Sequence, residues 1–237
     1  MKNTDDSYFS SKDELVYKKS GILKNIPKIT DFEELQKFED KATTLRLFEA
    51  QNFIKQNRID FKLWKNIHRI LFQDVYKWAG QVRKVQMSKG STIFSHPQFI
   101  EKEAQKIFCK LSDENFLLNL NHDNFCYHLA HYHTELNALH PFREGNGRTL
   151  KLLLNELARR NGFYISWETN VDVDVYLDAT IKAHNGPVAN QLSEKSEPLI
   201  YKDSSSLKMI RNGDLRQNHN DEVKSLQKFF ATIVKNA

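Results

Sequence analysis

The sequence predicts an all-α domain carrying one β-hairpin, on three observations. Glycine and proline, which punctuate chains rich in strands and turns, number only 8 and 5 in 237 residues. Apolar residues recur at helical spacing along most of the length. A single short stretch, between Val82 and Phe94, alternates apolar with polar instead. A chain of 237 residues suits one well-buried, compact unit with some trimmings.

Residues 1–30 read as an N-terminal segment packing on that core, residues 31–200 as the main domain, and residues 201–237 as a polar C-terminal appendage with a helix near its end. Thr30 and Asp31 precede a first helix, whose Leu35, Phe38, Ala42, Leu45 and Phe48 fall on one face and are expected in the core. A second helix follows from the spacing of Phe61, Trp64, Ile67, Ile70 and Leu71, again as a core face. In the hairpin, a strand through Val85 and Met87 turns at Lys89, Gly90 and Ser91 and returns through Thr92 and Ile93. Helical spacing resumes after Ile100, and again through Phe125, Leu129, Tyr132 and Leu136. Leu150, Leu153, Leu154, Leu157 and Ala158 form the apolar face of a further helix, expected to end at Gly162.

Charge and cysteine content exclude several classes. The 35 Lys and Arg exceed the 30 Asp and Glu by five, and the cations are scattered rather than clustered, which argues against a nucleic-acid partner. No apolar run is long enough to span a bilayer, and the first residues lack the apolar core of a signal peptide, so a cytoplasmic protein without membrane partners is expected. An address read only by a dedicated secretion machine would not show in this test. Cys109 and Cys126 have no CxxC spacing and read as reduced, buried thiols.

The chemistry concentrates between His140 and Lys151. Pro141 disfavours helix at the residue before it, so the preceding helix should stop near Leu139 and release His140 into a loop. An imidazole, with its ordinary pKa near 6.5, can take a proton from a hydroxyl at physiological pH. Gly145, Asn146 and Gly147 stand immediately before a helix, where backbone N–H groups can form a nest for phosphate oxygens. Arg148 and Lys151 put two cations on one side of the first turns, against the helix dipole unless an anion joins them. Glu144 offers a hard oxygen ligand of the kind Mg²⁺ takes beside nucleotide phosphates. Phe142 is the one large apolar residue of the loop and is expected to anchor it. Each feature alone has a duller reading as a turn, a loop histidine or a helix-end charge; the combination points to a polyphosphate.

The stretch His140–Arg148, HPFREGNGR, resembles the signature of Fic proteins, HPFx[D/E]GNGRxxR, at every specified position up to Arg148. The resemblance extends to residues 21–35 and 67–94 and covers roughly residues 15–170. It implies the Fic fold, a compact helical bundle with a β-hairpin flap over the active-site loop, and protein AMPylation: transfer of AMP from ATP to a Ser, Thr or Tyr hydroxyl of a target protein. On this analogy His140 is the general base and Glu144 the Mg²⁺ ligand. Phe142, Gly145, Asn146, Gly147, Arg148 and Lys151 form the nucleotide site. Residues 84–94, with Lys89, Gly90, Ser91, Thr92 and Ile93 at the tip, are the flap that binds the target by strand addition. Glycine at position 147, where the related Doc toxins have lysine and transfer a different phosphate, favours AMP transfer.

Two departures from the pattern stand out. Lys151 occupies the place of a second arginine, keeping the charge without the planar fork. The family's inhibitory pattern, [ST]xxxE[GN], has no clear counterpart, since Ser193 to Glu197 is followed by Pro198. Restraint is therefore expected from a separate inhibitory protein or from delivery elsewhere, in the manner of a toxin or effector. The alternatives are transfer of another phosphate-containing group and a catalytically silent Fic protein that binds a nucleotide or partner. A zinc hydrolase built on His122, His128, His131 and His133 is disfavoured, because nothing like HExxH is present.

Overall fold

The computed structural model describes residues 13–89, 92–167, 173–193 and 212–237. Seven α-helices dominate the described residues: α1 (Phe32–Lys55), α2 (Phe61–Phe72), α3 (Ile100–Asp113), α4 (His122–Leu139), α5 (Asn146–Arg160), α6 (Val173–Ser193) and α7 (Asn212–Ile233). Two two-stranded sheets join them, β1 (Ser88–Lys89) with β2 (Thr92–Ile93) and β3 (Phe163–Ile165) with β4 (Val234–Asn236), both antiparallel.

Helix starts follow local chemistry. Asp31 accepts from the Glu34 N–H at 2.9 Å and Asp60 from that of Leu63 at 2.7 Å, each side chain satisfying an amide that a helix leaves open. At the other end of α5, Gly162 takes φ +77° just past the last helical residue, which is the left-handed cap expected of it. The hairpin forms within the alternating stretch but is shorter than expected: Ser88 lies opposite Ile93 and Lys89, expected in the turn, opposite Thr92, while Val85 and Met87 precede β1. Gly90 and Ser91, the expected tip, lie outside the described residues, as does the stretch from residue 194 to 197 considered for an inhibitory motif.

The described residues fall into two compact units, Met1–Phe116 with Leu139–Leu157, and Leu117–Ala138 with Ala158–Ala237. The first has a core that includes Trp64, Ile67, Phe72, Met87, Ile100, Leu111 and Phe142. The second is built around Leu117, Phe125, Leu129, Tyr132, Leu226 and Phe230.

Four further expectations differ from what the structure contains, one of them being that Cys109 is exposed, whereas Cys126 is buried as expected. Leu45 and Phe48 are 82% and 73% exposed, while the buried stripe of α1 runs through Leu35, Glu39, Ala42, Thr43, Ala50 and Ile54. The buried face thus takes in Glu39, which accepts from the Tyr76 hydroxyl and pairs with Arg148. The C-terminal segment, expected as an appendage, carries Val223, Leu226, Phe230 and Val234 in the core of the second unit. Its β4 also pairs with β3, so a second small sheet joins the expected hairpin. That pairing links positions some seventy residues apart, which no local pattern signals.

Because Phe230 is fully buried, Phe230→Ala is expected to destabilise the second unit by about 3–5 kcal/mol through lost burial and the cavity left behind. Urea unfolding measures it; a loss below about 1 kcal/mol would mean that α7 is not part of that core.

Candidate active site

The loop between α4 and α5 is almost wholly buried. Helix α4 stops at Leu139, and His140 takes φ +43°, a left-handed value uncommon for a residue with a side chain. The His140 ring is packed flat on Phe94, the residue after β2, with centroids 3.7 Å apart and planes at 14°. Only 6% of His140 is exposed.

The next turns are held by side chains acting on backbone groups. The Asn146 amide accepts from the Phe142 N–H at 2.9 Å and donates to the Phe142 carbonyl at 2.8 Å, closing the loop as a second strand would. Phe142 is fully buried, edge-on to Trp64 at 5.6 Å and stacked on His68 at 4.0 Å. Trp64 in turn donates its indole N–H to Thr149 at 3.0 Å.

His68 fixes the loop's other side. Its Nδ1 accepts from the Gly80 N–H at 2.8 Å, so the proton sits on Nε2, which donates to the Glu144 carbonyl at 2.9 Å. Burial pushes its pKa down to about 3, helped by the nearby Arg148 cation and opposed by the Glu144 carbonyl. The ring is neutral at physiological pH.

Gly145 is demanded by both conformation and space. It has φ +78°, and a Cβ there would lie 2.3 Å from the Phe72 ring. Gly147 is different: it is exposed, and a Cβ there would meet nothing within 4 Å. Helix α5 begins at Asn146, and the Gly145 carbonyl closes the Thr149 N–H at 3.2 Å, leaving the Gly147 and Arg148 N–H groups without an acceptor in the helix. The open amides thus coincide with the one exposed position of the loop.

Charges gather around Arg148. Its guanidinium pairs with Glu39 of α1, lies 3.6 Å from Glu144 and 3.8 Å from Asp40, and sits 4.8 Å over the Phe72 ring. Glu39 also accepts from the Tyr76 hydroxyl at 2.5 Å. Burial and the nearby Glu39 charge raise the Glu144 pKa, while the Gly145 N–H, Arg148 and Arg143 work the other way. Burial lowers the pKa of Lys151, one turn further along α5. Arg143, at the unspecified position of the motif, pairs with Asp13 at 2.5 Å, both side chains nearly inaccessible, and so ties the N-terminal segment to the loop.

Of the residues singled out from the sequence, His140, Phe142 and the run from Glu144 to Arg148 form one continuous loop and helix start, with Lys151 one turn on. From the hairpin, Lys89 and Ile93 are exposed, Thr92 is buried, and β2 leads directly into the Phe94 ring on His140. The Asn146 side chain is committed to Phe142, so what it offers an anion is its backbone. The upstream histidines have other engagements: His122 with the Val234 carbonyl at 3.1 Å and His133 with the Tyr176 hydroxyl at 2.8 Å. Among the described residues no group of three or more potential ligands is arranged for a metal.

Glu39, His68, Tyr76, Arg83 and Arg143 were not singled out from the sequence. His68 and Glu39 had a faint signal, each a polar residue inside an apolar helical stripe. Arg83 and Arg143 had none, because their partners are distant in the chain.

The family model described as "Fic/DOC family" matches residues 58–158. The chain is 35% identical over 188 residues to a probable protein adenylyltransferase of Sinorhizobium fredii, covering 79% of this chain and 96% of that protein. It is 34% identical over 218 residues to the protein adenylyltransferase VbhT of Bartonella schoenbuchensis, covering 92% of this chain and 44% of that longer protein. The fold is similar to a crystal structure of BepC, a VirB-translocated effector of Bartonella tribocorum with bound AMPPNP, at a TM-score of 0.69 and 20% identity over 94% of this chain and 97% of that one.

The neutral His68 gives a pH-dependent prediction. Its folded pKa lies below the unfolded value of 6.5, so the unfolded chain binds the extra proton as pH falls, and the stability held above pH 6.5 is progressively lost toward pH 3. His68→Gln is expected to cost about 1–3 kcal/mol at pH 7.5 through the disturbed hydrogen bonds. The wild-type advantage should then shrink by up to about 1.4 kcal/mol per pH unit on acidification. Urea unfolding of both proteins at pH 7.5, 6 and 5 tests this, and a constant difference would mean that His68 is not the buried neutral group.

Proposed function

The chain belongs to the Fic/DOC family, and from that premise we propose that it is a protein adenylyltransferase, moving AMP from ATP to a hydroxyl of another protein and releasing pyrophosphate. One observation carries the reading to this molecule: a single buried loop presents His140 and Glu144 together with a helix N-terminus whose amides open at the exposed Gly147.

The polyphosphate would lie at the start of α5, where the Gly147 and Arg148 amides and the helix dipole favour negative charge. A compact nest suits it, since Gly147 leaves the approach open. Arg148 is already oriented by Glu39 and by the Phe72 ring beneath it. Lys151, on the same helix, supplies a second cation for the departing phosphates.

Glu144 fits a role in holding Mg²⁺. Its carboxylate lies beside the nest, 3.6 Å from Arg148, which suits an ion bound through one or two carboxylates plus nucleotide phosphates rather than in a protein cage. Mg²⁺ bound there would neutralise phosphate charge. Burial and the neighbouring Glu39 raise its pKa in spite of the Gly145 N–H, Arg148 and Arg143, so a further cation at this point is electrostatically welcome.

In the transfer the target hydroxyl oxygen forms a bond to the α-phosphorus as the bond from that phosphorus to the pyrophosphate oxygen breaks. The hydroxyl proton passes to the His140 imidazole, and the leaving pyrophosphate keeps its electron pair against the α5 amides, Arg148 and Lys151. Positioning and charge stabilisation supply most of the rate in such reactions. The hairpin, whose second strand ends on the ring that covers His140, is the surface on which an extended target segment would add as a further strand. A dedicated inhibitory partner, and toxin or effector use, accord with the absence of a clear inhibitory motif in the sequence. Among the described residues no helix is long and apolar enough to cross a membrane.

Incubation with α-labelled and γ-labelled ATP in parallel tests the reading: α-label is expected in protein, and γ-label alone would make the chain a phosphotransferase. His140→Ala should reduce α-label transfer by about a hundred- to ten-thousand-fold while leaving ATP binding nearly intact. Transfer at the wild-type rate by the folded variant would remove His140 from the mechanism.

Lys151→Arg is expected to lower KM for ATP, because a guanidinium grips two phosphate oxygens where an ammonium acts as one point charge. Steady-state kinetics of the two proteins measures it. A raised KM with the fold intact would show that Lys151 suits a pose of its own.

A further inference from the structure

Arg83 precedes the hairpin, and only 3% of it is exposed. Its guanidinium donates to four backbone carbonyls: Nε to His140 at 2.7 Å, one terminal nitrogen to Val85 at 2.7 Å, and the other to Ser95 at 2.5 Å and, more weakly, to Leu139 at 3.4 Å. Its own backbone N–H donates to the Pro141 carbonyl at 2.9 Å. Val85 and Ser95 are the two roots of the hairpin, three residues before β1 and two after β2. Leu139 and His140 are the end of α4 and the residue that follows it. One rigid planar group therefore spans both roots of the hairpin and the backbone of His140.

The residue beside Ser95 completes the link. Phe94 lays its ring on the His140 imidazole, and it is kept in the hairpin by its N–H on the Met87 carbonyl at 3.1 Å and by the Gln86 amide on its own carbonyl at 2.7 Å. The hairpin thus touches His140 twice, through the guanidinium on the backbone and through the aromatic ring on the side chain. Neither contact involves the Glu144–Arg148 turn.

Such a device needs arginine. A guanidinium carries five donors in a fixed fork and can serve carbonyls on different sides at once, whereas the three donors of an ammonium radiate from one atom. A buried charge is also costly unless fully hydrogen-bonded, and a packed apolar side chain would serve mere cohesion at less cost.

We propose that Arg83 is a positioning residue that couples the target-docking hairpin to the base, so that seating a target strand and aligning the His140 imidazole are one event. This rests on the reading of the hairpin as target surface and of His140 as base. Errors of about 1 Å in such alignment cost on the order of a hundredfold in rate.

The test uses the full chain as wild type, Arg83→Lys, Phe94→Leu and the double variant, with α-labelled ATP and the chain itself and lysate proteins as acceptors. Arg83→Lys is expected to lower kcat about ten- to hundred-fold with KM for ATP within about threefold. Phe94→Leu should also lower kcat, and the double variant should be little worse than the poorer single variant, because both act through the same alignment. Amide hydrogen exchange of Arg83→Lys should quicken in residues 85–95 and 139–142 together. A kcat within about twofold of wild type, losses that multiply in the double variant, or faster exchange in only one segment would each overturn the proposal. Should Arg83→Lys not fold, Phe94→Leu decides alone, and an unaltered kcat overturns it. Wild-type protein that transfers no α-label would remove the functional reading and this inference with it; labelling by wild type and Arg83→Lys alike would remove only the inference.

Discussion

The neutral imidazole of His68, held between the rings of Phe72 and Phe142, is the contact on which the active-site loop depends. A loop buried this deeply carries amides and carbonyls that water cannot reach, and each one left unpaired costs about 1–3 kcal/mol. His68 satisfies two of them from opposite sides of one ring, the Gly80 N–H and the Glu144 carbonyl. Asn146 does the same for Phe142, and Thr149 hydrogen-bonds to the Gly145 carbonyl. The loop is a rigid platform because side chains replace the hydrogen bonds that a helix or sheet would have given it.

Phe72 joins this platform to its charges. One of its faces stacks on His68, its edge excludes any side chain at position 145, and the Arg148 guanidinium lies over the ring. Arg148 is held further by Glu39, whose second oxygen takes the Tyr76 hydroxyl. On the proposed reading, a cation fixed before substrate arrives needs no reorganisation as charge develops on the leaving group. The same arrangement places two carboxylates, Glu39 and Glu144, on a single guanidinium, and burial, with the Glu39 charge adding to it, raises the pKa of Glu144.

Much was legible in the sequence where the cause is local. Asp31 and Asp60 mark helix starts because the capping oxygen reaches an amide three residues on, and Gly162 marks an end because glycine bears a left-handed backbone without strain. Pro141 stops α4 at Leu139 through its clash with the preceding residue. The hairpin followed from a period of two. The grouping of the motif residues was equally legible, because they are contiguous and the structure keeps them in one buried loop and helix start.

The remainder was decided by contacts between residues far apart in the chain. Glu39 is buried where Arg148, 109 residues later, pairs with it, while Leu45 and Phe48 on the same helix face out against their apolar pattern. Arg83 reads as one more surface cation until the fold brings the His140 carbonyl, 57 residues on, to its guanidinium. His68 lies 76 residues from the carbonyl it holds, and β3 meets β4 only when the chain's end returns to it. The sequence by itself determined most of the helices, though not α6, the ends of several of them and which residues share the loop, since each depends on neighbours within a few residues. Only the tertiary structure decided which polar side chains are buried to hold that loop, because a buried polar group is stable solely through a partner that the fold supplies.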